Sequence, residues 1–218
     1  MYQFVTGPLA WLAFGIFFGG MIYRVVFIVK LAQEKDKLVF NHLDLKWSLN
    51  SIFRWLVPFG SRSMREKPVI TIVAFIFYIC LLITPIFLVA HNVILQRRWG
   101  VSFWTISEST ADILTIILIA CVVFFILRCI ALPDVRLITT AYDYLLLAIV
   151  AAPFITGFLA YHQFSGYLFW VIVHVLSGEI MLIAIPFTKL SHILLFFLPR
   201  AHIGSEMGQK RPLTRIQN

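Results

Sequence analysis

Charge is scarce in this 218-residue chain: 13% of residues are charged and only ten are Asp or Glu. A soluble domain has about 25% charged and about 45–50% apolar residues, whereas here 61% are hydrophobic and the mean hydropathy is +0.91. There is too little polar side chain to coat a water-soluble globule, and that class is excluded. Cysteine is equally sparse. Cys80, Cys121 and Cys129 all fall in apolar runs without metal-ligand spacing, so they read as small buried hydrophobes. No basic segment precedes the first apolar run and no small-residue cleavage site follows it, so that run is expected to be a retained span rather than a cleaved signal. No internal repeat is visible, which disfavours an inverted-repeat transporter.

What the chain has is long apolar stretches. A helix needs about 20 apolar residues to cross roughly 30 Å of hydrocarbon, and five stretches qualify, at about 8–29, 69–95, 111–132, 142–161 and 167–198. The last is too long for a perpendicular crossing, and Pro186 is expected to kink it as it emerges. The fold expected is all-α, a five-helix transmembrane domain over 1–200 with a tail over 201–218. Basic residues sort by side: eight in Lys30–Lys67, Arg128 at the inner end of the third stretch with Arg136 just beyond it, and five from Lys189 onward, against Arg97 and Arg98 alone on the other side. This bias predicts a periplasmic N-terminus and a cytoplasmic C-terminus in a bacterial inner membrane. The formal net charge of +8 thus becomes a cytoplasmic collar, and nucleic acid is not expected as a partner; membrane lipid is. Within the first basic loop, residues 47–58 place aromatic and aliphatic side chains three to four apart, the pattern of an amphipathic helix lying in the interface or docking a partner. Gly15 and Gly19 form a GxxxG in the first span, with Gly20 beside it. Close helix contact is the expected use, room for a flat cofactor the alternative.

Six histidines occur, and an ionisable residue inside a span is rare enough to count as a functional candidate. His174 and His192 are 18 residues apart, five whole turns, and so share a face if the fifth helix runs straight. His174 and His91 fall at similar depth near the outer face. Two imidazoles from neighbouring helices at matched depth have the chemistry to ligate a low-spin haem b. Two isolated hydrogen-bonded histidines are the plainer reading. Zinc is disfavoured, because no Cys, Asp or Glu stands close in sequence to complete a tetrahedral set.

Five spans, a His near the outer end of the second and two His 18 apart on the fifth resemble the cytochrome b (gamma) subunit family of respiratory nitrate reductase. The strings Leu132-Pro-Asp-Val-Arg136, Pro153-Phe-Ile-Thr-Gly157, Gly178-Glu-Ile-Met-Leu182 and Pro186-Phe-Thr-Lys-Leu-Ser-His192 are similar to the cytochrome b subunits of the Hmc and Tmc transmembrane redox complexes of sulfate-reducing bacteria. The resemblance implies a subunit that carries electrons between a quinone pool, or a periplasmic multihaem cytochrome c, and a cytoplasmic iron-sulfur subunit, among other integral membrane subunits. It implies that His91 and His174 hold a haem b near the periplasm and that His192 holds a second haem. Relatives commonly have His after Phe in the second span where this chain has Tyr78, so the expected partner of His192 is absent. His42 or another subunit would have to replace it.

Other polar residues in the apolar stretches are candidates too. Arg24 and Lys189 would pair with haem propionates or snorkel to headgroups. Glu179 is expected to serve as a proton-path step or to make an interhelical hydrogen bond. Asp112, His162 and Arg98, with Glu108 and Arg97, are candidates for a menaquinone site near the outer face, with Asp112 or His162 as base. The function expected is electron transfer by a haem b membrane subunit of an oxidoreductase complex. A haem-free membrane anchor is the alternative, and a solute or ion channel is disfavoured by the lack of a polar stripe.

Overall fold

The computed structural model describes residues 2–35 and 44–216; His42 lies outside them. Every regular element among the described residues is helical, and five helices are long and apolar enough to cross a membrane. They are α1 (Tyr2–Lys35), α4 (Pro68–Phe87), α6 (Glu108–Ala131), α8 (Ala141–Tyr161) and α9 (Tyr167–Phe187). Shorter helices stand between and after them: α2 (Leu45–Leu56), α3 (Arg62–Glu66), α5 (Val89–Trp99), α7 (Pro133–Arg136), α10 (His192–Leu195) and α11 (Phe197–Ile216). Much of the surface of the spans is apolar and uncovered, as at Phe18, Ile79, Ile116, Leu145 and Ile180. Apolar surface on that scale requires a non-aqueous surround, so the chain is a multi-pass membrane protein in contact with lipid.

The chain divides into two compact units. One takes the residues up to Ala10 together with Ile72–Met181, and the other takes Trp11–Thr71 and the residues from Leu182 onward. In the first, α6 packs along α8, with Leu118, Cys121, Val122, Val150 and Phe154 buried. Phe77 of α4 meets Phe125 of α6 edge-on at 5.3 Å. Helix starts are marked locally: Ser107 Oγ accepts the Thr110 N–H at the head of α6, and Thr140 with Asp143 forms a capping box at the head of α8, satisfying N–H groups that have no partner within the helix.

Three boundaries differ from the apolar runs. The stretch 69–95 is two helices, because the backbone turns extended at Leu88 (φ −65°, ψ 132°) just beyond Pro85. The break releases three carbonyls, and each is captured. Pro85 O receives the His91 ring, Ile86 O receives Asn92 Nδ2 at 2.8 Å, and Phe87 O receives the Ile106 N–H at 3.0 Å. The stretch 167–198 also breaks. α9 ends right after Pro186, Thr188 is extended, and a 3₁₀ turn at Lys189–Ser191 leads into α10. His174 and His192 therefore do not share one straight helix, and the five-turn argument for a common face fails.

The third difference lies in the second unit. Residues 201–218, expected as a tail, belong through Ile216 to α11, which packs along α2. Ser48 Oγ donates to Ala201 O at 2.9 Å and the Asp44 N–H donates to Ser205 Oγ at 2.7 Å. A Cβ on Gly204 would strike Ser51, and one on Gly208 would strike the Trp47 ring. Gly204 and Gly208 are thus the GxxxG that brings two helices together here. Gly15 and Gly19 have nothing within 4 Å of where a Cβ would lie, while Gly20 admits Pro186, which would stand 2.8 Å from its Cβ. Of the residues read as one amphipathic helix, 47–56 lie in α2 and Val57 is already extended; the α2 face with Trp47, Ser48, Ser51 and Trp55 covers α11, and the face with Leu45, Leu49 and Phe53 stays exposed.

Candidate functional site

Pairing of the two outer histidines is the main feature of the first unit. His91, on α5, and His174, on α9, stand with ring centroids 5.9 Å apart and planes 15° from parallel. Each ring is fixed by its Nδ1, His91 to Pro85 O at 2.8 Å and His174 to Pro153 O at 2.8 Å. A carbonyl only accepts, so each Nδ1 carries the proton and each Nε2 keeps its lone pair for a metal. The helix break makes the first anchor available. The second is set across α8 and α9, where Thr156 Oγ1 and Ser177 Oγ lie 3.2 Å apart and Ser177 donates back to His174 O. Gly157 provides the room. A Cβ there would come within 2.9 Å of His174 Cε1, closer than real Cβ atoms approach.

The donor set that the pair offers is two neutral imidazoles, each anchored at Nδ1. No group of three or more His, Cys, Asp and Glu suited to a metal gathers among the described residues, so a protein-only tetrahedral or octahedral site has no ligand set. Two imidazoles can hold a metal only where its remaining ligands come from outside the described residues.

The remaining expected residues fall in separate places. Asp112, in the first turns of α6, and His162, at the end of α8, meet at 3.2 Å, both side chains partly exposed. Beside them Tyr161 donates to Glu108 Oε2 at 2.6 Å, so four polar groups close one end of the α6–α8 pair. Arg98 is not among them in its hydrogen bonding: its Nη2 donates to Thr6 O at 2.6 Å, in the π-helical turn Val5–Leu9 that contains Pro8. Glu179 is buried, and among the described residues neither carboxyl oxygen has a hydrogen-bond partner, interhelical or other. Arg24, in the second unit, has its Nε buried without a partner. His192 is exposed, its Nδ1–H donating to Lys189 O at 2.5 Å within the same turn.

Sequence reasoning missed Asn92, Pro153, Thr156, Gly157 and Ser177, which hold the two histidines without being ligands. Pro153-Phe-Ile-Thr-Gly157 did stand out as a string, but nothing in it says that its carbonyl and its glycine face His174.

A protein of Nitratidesulfovibrio vulgaris strain Hildenborough is 43% identical over 215 residues, covering 97% of this chain and 95% of that one. No family model matches, and no solved structure matches.

Proposed function

The chain belongs to the family of that Nitratidesulfovibrio vulgaris protein, which it matches over nearly its whole length, and for it we propose the role of a haem b membrane subunit of an oxidoreductase complex. The observation that carries this reading is the His91–His174 pair, near-parallel at 5.9 Å with both Nδ1 atoms tied to backbone carbonyls. Haem b, when bound, supplies a one-electron iron couple. The protein's own part is to hold two imidazoles in the neutral tautomer, to fix their planes through Pro85 and Pro153, and to surround them with apolar helices that keep water out.

Electrons would pass between a quinone pool or a periplasmic cytochrome c and a cytoplasmic iron-sulfur subunit, with the N-terminus periplasmic and the basic loops cytoplasmic in a bacterial inner membrane. Oxidation of a menaquinol releases protons. The Asp112–His162 pair, near water at one end of α6 and α8, is where this chain has groups able to take them. His192, with Arg24 and Lys189, would serve a second haem only with a ligand from outside the described residues or from another subunit.

Reduced-minus-oxidised absorbance of the purified chain, or of the complex containing it, tests the reading. A b-type band is expected, His91→Ala and His174→Ala each abolish it, and His192→Ala leaves it. Absence of the band in the native preparation, or its survival in either of the first two variants, overturns the assignment.

A further inference from the structure

Four arginines converge on one cleft of about 390 Å³ in the second unit, where the turn after α2 folds back toward α11. Arg54 comes from α2, Arg62 and Arg65 from α3, and Arg200 from α11; no Asp or Glu lines the cleft among the described residues. The turn is built to bring them together. Gly60 sits so close to the Arg54 carbonyl that a Cβ would strike it, Phe59 takes a left-handed φ of 60°, and Arg65 Nη1 donates to Phe59 O at 2.9 Å. On the other wall the Arg200 guanidinium lies 3.7 Å over the Trp55 ring.

We propose that this cleft is a phosphate-binding site, taking the phosphate of an anionic lipid headgroup or a free phosphate ion. Among its described lining residues the cleft has four arginines and no acid, and of the four Arg62 has a carboxylate partner, Glu66, which leaves positive charge that an oxyanion in the cleft would offset. Guanidinium forks match the oxygens of a phosphate two at a time. The internal partners do not use up the donors. Arg62 is paired only with Glu66, in an i,i+4 contact with side chains 88% and 57% exposed, a kind of pair that contributes little. Arg65 spends one N–H on Phe59 O. Arg200 is partly shielded by Trp55, and burial lowers the pKa of its guanidinium, so an anion beside it restores what desolvation removes. At about 100° per residue, Arg54 leaves α2 on the side away from the exposed Leu45, Leu49 and Phe53 stripe. If that stripe rests on hydrocarbon, the cleft opens toward headgroups and water, where both sources of phosphate are found.

The full-length chain in neutral detergent is titrated with phosphatidylglycerol and phosphatidylcholine by native mass spectrometry, and with inorganic phosphate and acetate by calorimetry. Preference for phosphatidylglycerol over phosphatidylcholine identifies a lipid source, and preference for phosphate over acetate a free ion; either is the expected result. The doubly substituted Arg54→Gln/Arg65→Gln chain should bind the preferred probe about tenfold more weakly and Arg200→Lys several-fold more weakly, while Lys46→Gln, on α2 but outside the cleft, binds as the native chain does. The proposal is overturned if the native chain shows neither preference, which needs no variant to fold. It is also overturned if Lys46→Gln weakens binding as much as the double substitution, or if only an oligoglutamate peptide binds.

Discussion

One methyl group decides whether His174 can occupy its place. Gly157 leaves the space that a Cβ would fill 2.9 Å from His174 Cε1, and α8 is anchored there by its neighbour Thr156. Gly157→Ala is therefore expected to push the ring off Pro153 O. The fold should survive at a cost of about 1–3 kcal/mol, as overpacking usually does, while the haem absorbance band is lost or shifted. Unchanged absorbance together with unchanged thermal stability would remove the tight contact from the account. Glu179 poses a different problem: both its oxygens are buried and, among the described residues, have no hydrogen-bond partner. A buried carboxyl left unpaired costs about 1–3 kcal/mol. Glu179→Leu should thus raise the unfolding temperature in detergent, and a fall would reveal that a partner subunit or cofactor satisfies the carboxyl in the assembled state.

At the scale of elements, broken helices do the positioning. The turn at Leu88 would leave the last carbonyls of α4 without partners, and residues of α5 and the following loop supply them. Asn92 contributes most. It is 3% exposed, donates to Ile86 O and Leu88 O, and accepts the Phe103 N–H at 2.7 Å. Asn92→Ala strands Ile86 O and the Phe103 N–H, while Leu88 O keeps the backbone N–H of residue 92, so thermal unfolding should show a loss of about 2 kcal/mol, with the His91 ring released along with the turn. Had α4 run straight through to residue 95, Pro85 O would have stayed in the helix ladder and His91 would lack its anchor. The α2–α11 pair depends on small residues instead. Gly208→Leu needs the place that the Trp47 ring holds, and is expected to detach α11; limited proteolysis should then cut the region after Arg200 much faster than in the native chain.

For the whole molecule, the exposed apolar surface of the spans fixes the surroundings, and the basic loops carry the proposed orientation. Ser63, beside the arginine cleft, and Ser102, in the loop after α5, are both exposed. Introduced as Ser63→Cys and Ser102→Cys, they should react differently with a membrane-impermeant maleimide. Cys at 102 is expected to label in spheroplasts, and Cys at 63 only after lysis; the reverse pattern would invert the topology. Five spans and their basic loops were legible in the sequence because hydropathy, length and charge bias add up along the chain, with no need to know what touches what. So was the matched depth of His91 and His174, since both were counted from the ends of apolar runs. The same counting failed for His192, because Pro186 and Thr188 end a helix that apolarity alone would continue. It also passed over a second GxxxG, Gly204 and Gly208, which packs on Ser51 and Trp47. Which carbonyl holds each imidazole, that Asp112 meets His162, and that four arginines share one cleft were decided only in the folded chain. His174 with Pro153, Asp112 with His162 and Arg200 with Arg54 are distant in sequence, and even the six-residue contact of His91 with Pro85 exists only because the helix breaks between them.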